Sequence, residues 1–212
     1  MAIRKIGWRW RIVGAMLALL VMWELYVAIR PADEVVLAIG ESYEQVRQRS
    51  RSTLPAATPE AFWAAYVSRP ARLRFIDPQY GFVTPAAKFL TVGYDEHGIV
   101  WGVTLSPQTE TLPLDETMAI LLDLQDQLSR GDWQPIRVAQ HPPMTDTPET
   151  RALMRANLVP QTFWLAGDKY QVSIEVRRFI HESRPDDERY LITLQLSGPP
   201  LMEDRPGERG PV

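Results

Sequence analysis

The sequence predicts an α+β fold: one N-terminal transmembrane helix, then a periplasmic domain of two α-α-β units with antiparallel sheets. Three observations predict it. Residues 12–29, IVGAMLALLVMWELYVAI, form an apolar run with a single charge, Glu24. As a helix rising ~1.5 Å per residue, such a run is roughly 27 Å long, close to the ~30 Å hydrocarbon core of a bilayer. Helical patterns then alternate with strand patterns twice over. Finally, two Thr-Pro-Glu helix starts, at Thr58 and Thr147, lie 89 residues apart, and the strand patterns 99–106 and 190–197 lie 91 apart. Such spacing suggests a tandem duplication.

The elements follow in order. Arg4, Lys5, Arg9 and Arg11 precede the apolar run, so the N-terminus is expected in the cytoplasm and the main domain outside. Trp8 and Trp10 at one end, with Trp23 and Tyr26 near the other, resemble interfacial belts. A cleaved signal peptide would want small residues where Tyr26-Val27-Ala28 stands, so an uncleaved signal-anchor is the expectation. Glu24 either snorkels toward the outer headgroups or makes an intramembrane contact with another helix.

Residues 1–11 are then a basic cytoplasmic tail, 12–29 the membrane helix and 30–40 a linker. The first α-α-β unit covers 41–108, the second 109–198, and a disordered tail 199–212. In the first unit Ser42 and Gln45 make a capping-box pattern that opens a helix over 42–51. Thr58-Pro59-Glu60 opens a second helix that carries Phe62, Trp63, Tyr66 and Val67 and stops before Pro70. Strands are expected at 72–76, 88–94 and 99–106, the last two joined at Asp95-Glu96-His97-Gly98. In 99–106 the pattern puts Ile99, Trp101, Val103 and Leu105 on one face and Val100, Gly102, Thr104 and Ser106 on the other.

In the second unit Leu114, Met118, Leu121, Leu122 and Leu128 form one apolar stripe of a helix over 113–130, with Asp115 and Glu116 in its first turn and Gly131 after it. A short helix over 147–157 follows a Pro-rich loop at 134–147. The clearest alternation comes next. Tyr170, Val172, Ile174 and Val176 face inward, as do Tyr190, Ile192, Leu194 and Leu196. That leaves Gln171, Ser173, Glu175 and Arg177, with Thr193 and Gln195, as the outward face and the candidate partner-binding set. Pro-rich loops at 77–87 and 134–147 are the alternative binding rim.

Composition narrows the function. Residues 31–212 carry 18 basic and 25 acidic side chains, which argues against nucleic acid and favours a basic protein partner. With no cysteine in the chain, a disulfide framework, a thiolate nucleophile and a lipidated cysteine are excluded. The three histidines, His97, His141 and His181, occur in no H-x-x-x-H or H-E-x-x-H pattern, and no G-x-S-x-G exists. Asp95-Glu96-His97 and Asp186-Asp187-Glu188 read as solvated turns rather than metal or acid–base sites. Trp63, Trp101, Trp133 and Trp164 are expected in the core, one per element, and any that is exposed would serve as an interface anchor.

Gly40, Ser42 and Val46 match the G-x-[ST]-x-x-x-V start of the first helix in the small lipoproteins of the outer-membrane β-barrel assembly machinery, whose fold is similar to β-lactamase-inhibitor-like proteins. The chain resembles that family in these residues and in element order. It lacks the lipidated cysteine and only loosely replaces the family's Gly-x-Pro helix stop with Leu54-Pro55. The resemblance implies an envelope protein that binds other proteins through a sheet and has no catalytic residues. The expected function is thus an inner-membrane-anchored, single-pass periplasmic protein-binding module, either an envelope accessory factor or a toxin-neutralising immunity protein. It needs no cofactor or metal, has no catalytic residue, and touches the membrane through its N-terminal helix. A tethered hydrolase and an accessory subunit of a membrane complex are the alternatives.

Overall fold

The computed structural model describes residues 13–19, 21–22, 32–56 and 62–199, with backbone only at 181 and 184–186. Two units are distinguished, residues 1–32 and 33–212. In the first, helix is described at 13–19 and 21–22. Among the described residues no helix is long and apolar enough to cross a membrane. This contradicts the transmembrane and signal-anchor expectation and with it the single-pass inner-membrane localisation, and it leaves the periplasmic placement of the main domain without the anchor it was argued from. Glu24, the basic tail before residue 12 and the tail after residue 199 lie outside the described residues.

The second unit is mostly β-sheet, not two α-α-β units. Its strands are β1 (Asp33–Leu37), β2 (Trp63–Tyr66), β3 (Ala71–Phe75), β4 (Phe82–Ala87), β5 (Phe89–Tyr94), β6 (Val100–Ser106), β7 (Gln134–Ile136), β8 (Gln161–Ala166), β9 (Tyr170–His181) and β10 (Arg184–Ser197). The helices are α1 (Tyr43–Arg49), α2 (Leu114–Arg130) and α3 (Pro148–Arg155). One sheet has three strands in the order β1-β3-β4; the other has seven, in the order β2-β5-β6-β10-β9-β8-β7. The seven-stranded sheet runs without a break through the two expected units, because β6 pairs antiparallel with β10.

Local rules explain the helices. Ser42 caps α1, its hydroxyl accepting from Gln45 N while the Gln45 side chain accepts from Ser42 N. Thr147 caps α3, followed by Pro148 at the first position. α2 runs from Leu114 to the cap at Gly131, and buries Leu114, Met118, Leu121, Leu124 and Leu128.

The helix expected after Thr58 is instead strand β2. Residues 57–61, where its start signals lie, are outside the described residues. From residue 62 the burial alternates: Phe62, Ala64 and Tyr66 are exposed while Ala65 and Val67 are buried. Aromatic rings on both faces hide this period of two, and with it the β-preference of such residues. β1, β4, β7 and β8 are further strands in segments read as linker, loop or unassigned. Two of them, β4 and β7, contain Pro85 and Pro135, which edge strands tolerate.

Candidate interaction surface

The seven-stranded sheet has one face in the core. Val92, Val103, Leu105, Ile192, Leu194, Leu196, Val172, Ile174 and Val176 are at most 3% exposed and share one cluster with the apolar stripe of α2. At ~25 cal/mol per Å², a fully buried aliphatic side chain of this kind contributes roughly 1.5–3 kcal/mol, so the register that puts these residues inside is strongly fixed.

The opposite face reaches solvent. Its middle row can be followed through paired residues across all seven strands: Tyr66, Thr91, Thr104, Gln195, Ser173, Phe163 and Ile136. At ~4.8 Å between strands the row is roughly 29 Å wide. The predicted outward residues do gather here. Gln195 lies opposite Ser173 and Thr193 opposite Glu175, while Gln171 pairs with Ser197 and Arg177 with Leu191. Gln195 and Arg177 are exposed, Ser173, Glu175 and Thr193 half-buried, and Gln171 buried at the strand end. Arg177 donates to Glu175 at 3.0 Å, so the two charges neutralise each other.

Aromatic groups flank this polar middle. At one end Tyr66 and Phe89 lie 6.3 Å apart, centroid to centroid, and Trp101 is 51% exposed. Simple alternation puts Trp101 with buried Val103. A bulge prevents that: Tyr94 pairs with Val100 and Gly93 with Gly102, leaving Trp101 as the extra residue. A bulge re-aims a side chain, and here the indole lies against Gly93. A Cβ on Gly93 would come within 2.6 Å of Trp101 Cε2, so only glycine leaves room for the ring. The other three tryptophans expected in the core follow that expectation more closely: Trp133 and Trp164 are buried and Trp63 half-buried.

At the far end Phe163 is covered by its neighbours. The Arg137 guanidinium sits 5.1 Å from the ring centre, a cation–π distance, and His141 meets the ring edge-on at 5.1 Å. Both come from the 134–147 segment, so that loop flanks this face. The 77–87 segment instead forms a turn and β4. Of the other histidines, His97 is exposed in the turn where Asp95 Oδ1 accepts from His97 N and Ile99 N.

A cleft of about 630 Å³ opens on the same face where β6 and β10 diverge. Phe89, Ser106, Leu191 and Thr193 line it from the sheet, Gln108–Thr111 from the loop, and Lys88 and Glu110 supply opposite charges. Its apolar lining suits one apolar side chain of a partner. Beneath lies buried Tyr190, whose O–H donates to Glu188 at 2.7 Å. Burial first, and then the Glu188 carboxylate, push the phenol up to about 12. Among the described residues no group of three or more His, Cys, Asp or Glu is placed to hold a metal ion.

Sequence reasoning missed Trp101, Phe89, Phe163 and the cleft as parts of this face. The only available signal was the pair Gly93 and Gly102 inside strand patterns, since an interior glycine marks a bulge or a close approach. Comparisons with protein-family models, with curated proteins and with solved structures give no match.

Proposed function

We propose that this chain is a protein-binding module whose working surface is the open face of its seven-stranded sheet. Trp101 carries the reading: a bulge and a glycine together hold a large apolar ring on the solvent side. Contiguous exposed apolar groups on an otherwise polar surface mark interaction sites, and tryptophan is a frequent interface anchor. The Thr, Ser and Gln middle supplies hydrogen-bonding groups, and the cleft supplies a socket. The excess of acidic side chains over residues 31–212 favours a basic partner through steering. The resemblance at Gly40, Ser42 and Val46 implies the same class of function. An accessory factor and a toxin-neutralising immunity protein would each use such a face.

Two variants test it. The double reversal Glu175→Lys with Arg177→Glu, and Trp101→Ala separately, should each weaken capture of the native partner by about tenfold or more. The double reversal should leave stability within ~0.5 kcal/mol, as surface changes do. If both variants capture the partner as well as wild type does, the open face is not the interface.

A further inference from the structure

Three of the four sheet edges are capped or blunted by the chain itself. Along β1, Val36 N donates to Ser50 Oγ and Glu34 N to Arg51 O. Along β4, Val83 N donates to Gln127 Oε1, and Pro85 has no N–H to offer. β7 is three residues long and contains Pro135. These are ordinary protections of a strand edge.

β2, four residues long, has no such cap and no proline among the described residues. The stretch Phe62–Tyr66 reads FWAAY, without charge, proline or glycine. Val67 N donates to Leu90 O, which sets the phase of the β2–β5 ladder. Trp63, Ala65 and Val67 turn their backbone groups toward β5, and Phe62, Ala64 and Tyr66 turn theirs away from it. Among the described residues none pairs with that outer side. Phe62 and Tyr66 are 72% and 57% exposed, and Ala64 between them is exposed too.

We infer that β2 pairs antiparallel with β2 of a second copy of this chain, about a two-fold axis at Ala64. The edge is self-complementary in that register. Ala64 falls opposite Ala64, so no bulk separates the backbones, and Phe62 falls opposite Tyr66 on the open face. Aromatic cross-strand pairs of this kind stabilise sheets. The three outward residues of each strand exchange their N–H and C=O groups, closing that edge. The two seven-stranded sheets become one continuous sheet, and both open faces remain free beyond Phe62 and Tyr66. The contact uses backbone edge groups and, at the margin of the face, the rings of Phe62 and Tyr66; it does not require the face to hold a partner. Four aromatic rings and two short strands bury on the order of 1,000 Å², near the lower limit for a specific interface. The dimer is therefore reversible and concentration-dependent.

The absence of cysteine makes the test clean. In the purified full-length chain, Ala64→Cys places two thiols across the axis, with Cα atoms ~5.5 Å apart, inside the range a disulfide spans. Under mild oxidation it should form a covalent dimer at least tenfold faster than Glu149→Cys, an exposed position on α3. Phe62→Cys mixed with Tyr66→Cys should give the mixed dimer. Neither should cross-link with itself, because like positions sit four residues out of register, roughly 14 Å apart. The inference is overturned if Ala64→Cys is no faster than Glu149→Cys, as a strand from a different protein on this edge would make it. It is equally overturned if Phe62→Cys alone cross-links as fast as the mixture.

Discussion

Asp77 holds the turn between β3 and β4 through three hydrogen bonds. Its Oδ1 accepts from Gln79 N and Tyr80 N, both at 2.9 Å, and its Oδ2 from Tyr170 Oη at 3.2 Å. Burial raises the carboxyl's pKa, but these donors and Lys169 outweigh it, and the net value lies below the ordinary carboxylate range. A depressed carboxylate contributes stability above its unfolded pKa and loses it as pH falls through the folded value. Asp77→Ala should therefore cost about 1–2 kcal/mol at pH 7, and the gap to wild type should shrink near pH 2–3. Urea unfolding at both pH values measures this; an equal gap at both would show that charge has no part in it. In the sequence, Asp77-Pro78 reads only as a turn. Its reach to Tyr170, 93 residues away, has no local signature.

At the scale of elements, β10 is twice served. Leu194–Ser197 pair with β6, but at Tyr190 and Ile192 the loop before α2 takes over. Ile192 N donates to Gln108 Oε1 at 2.9 Å, Gln108 Nε2 donates to Tyr190 O at 2.9 Å, and Leu112 exchanges both backbone bonds with Tyr190. Gln108 is 5% exposed, so its amide stands in for a strand in a place without water. Gln108→Ala should cost about 2–3 kcal/mol by orphaning a buried N–H, and amide exchange at Ile192 should speed up by about tenfold or more. Unchanged exchange would mean that the loop, not the glutamine, seals the strand. The inward faces of β9 and β10 were legible because apolar residues alternate with polar ones over 170–177 and 190–196, Leu191 excepted. α2 was legible from its stripe, although Leu124 rather than Leu122 is buried, and from Gly131 at its end. β2 was not, since rings on both faces erase the alternation. Nor was the role of Gln108, because a glutamine between Pro107 and Thr109 has the composition of any solvated loop.

For the whole molecule, pairing of β6 with β10 turns two runs of local pattern into one sheet with one dry and one wet face. Periodicity told which residues of β9 and β10 face out, and those residues do cluster. It did not tell that among the described residues no helix is long and apolar enough to cross a membrane. Nor did it reveal the bulge that moves Trp101 across the sheet, because a bulge depends on the partner strand's register. The central claim is that the native partner is met by the open face, not by the helical side of the molecule. A photo-crosslinking amino acid placed singly at Thr104, Gln195 and Arg177, and on the exposed side of α2 at Asp126 as the reference, tests it most directly in the cells that make the protein. All four positions reach solvent, so reactivity alone cannot separate them. The prediction is one common adduct, of the same mass, from the three face positions and none from Asp126. Adducts of equal yield from Asp126, or none from the face, would contradict it.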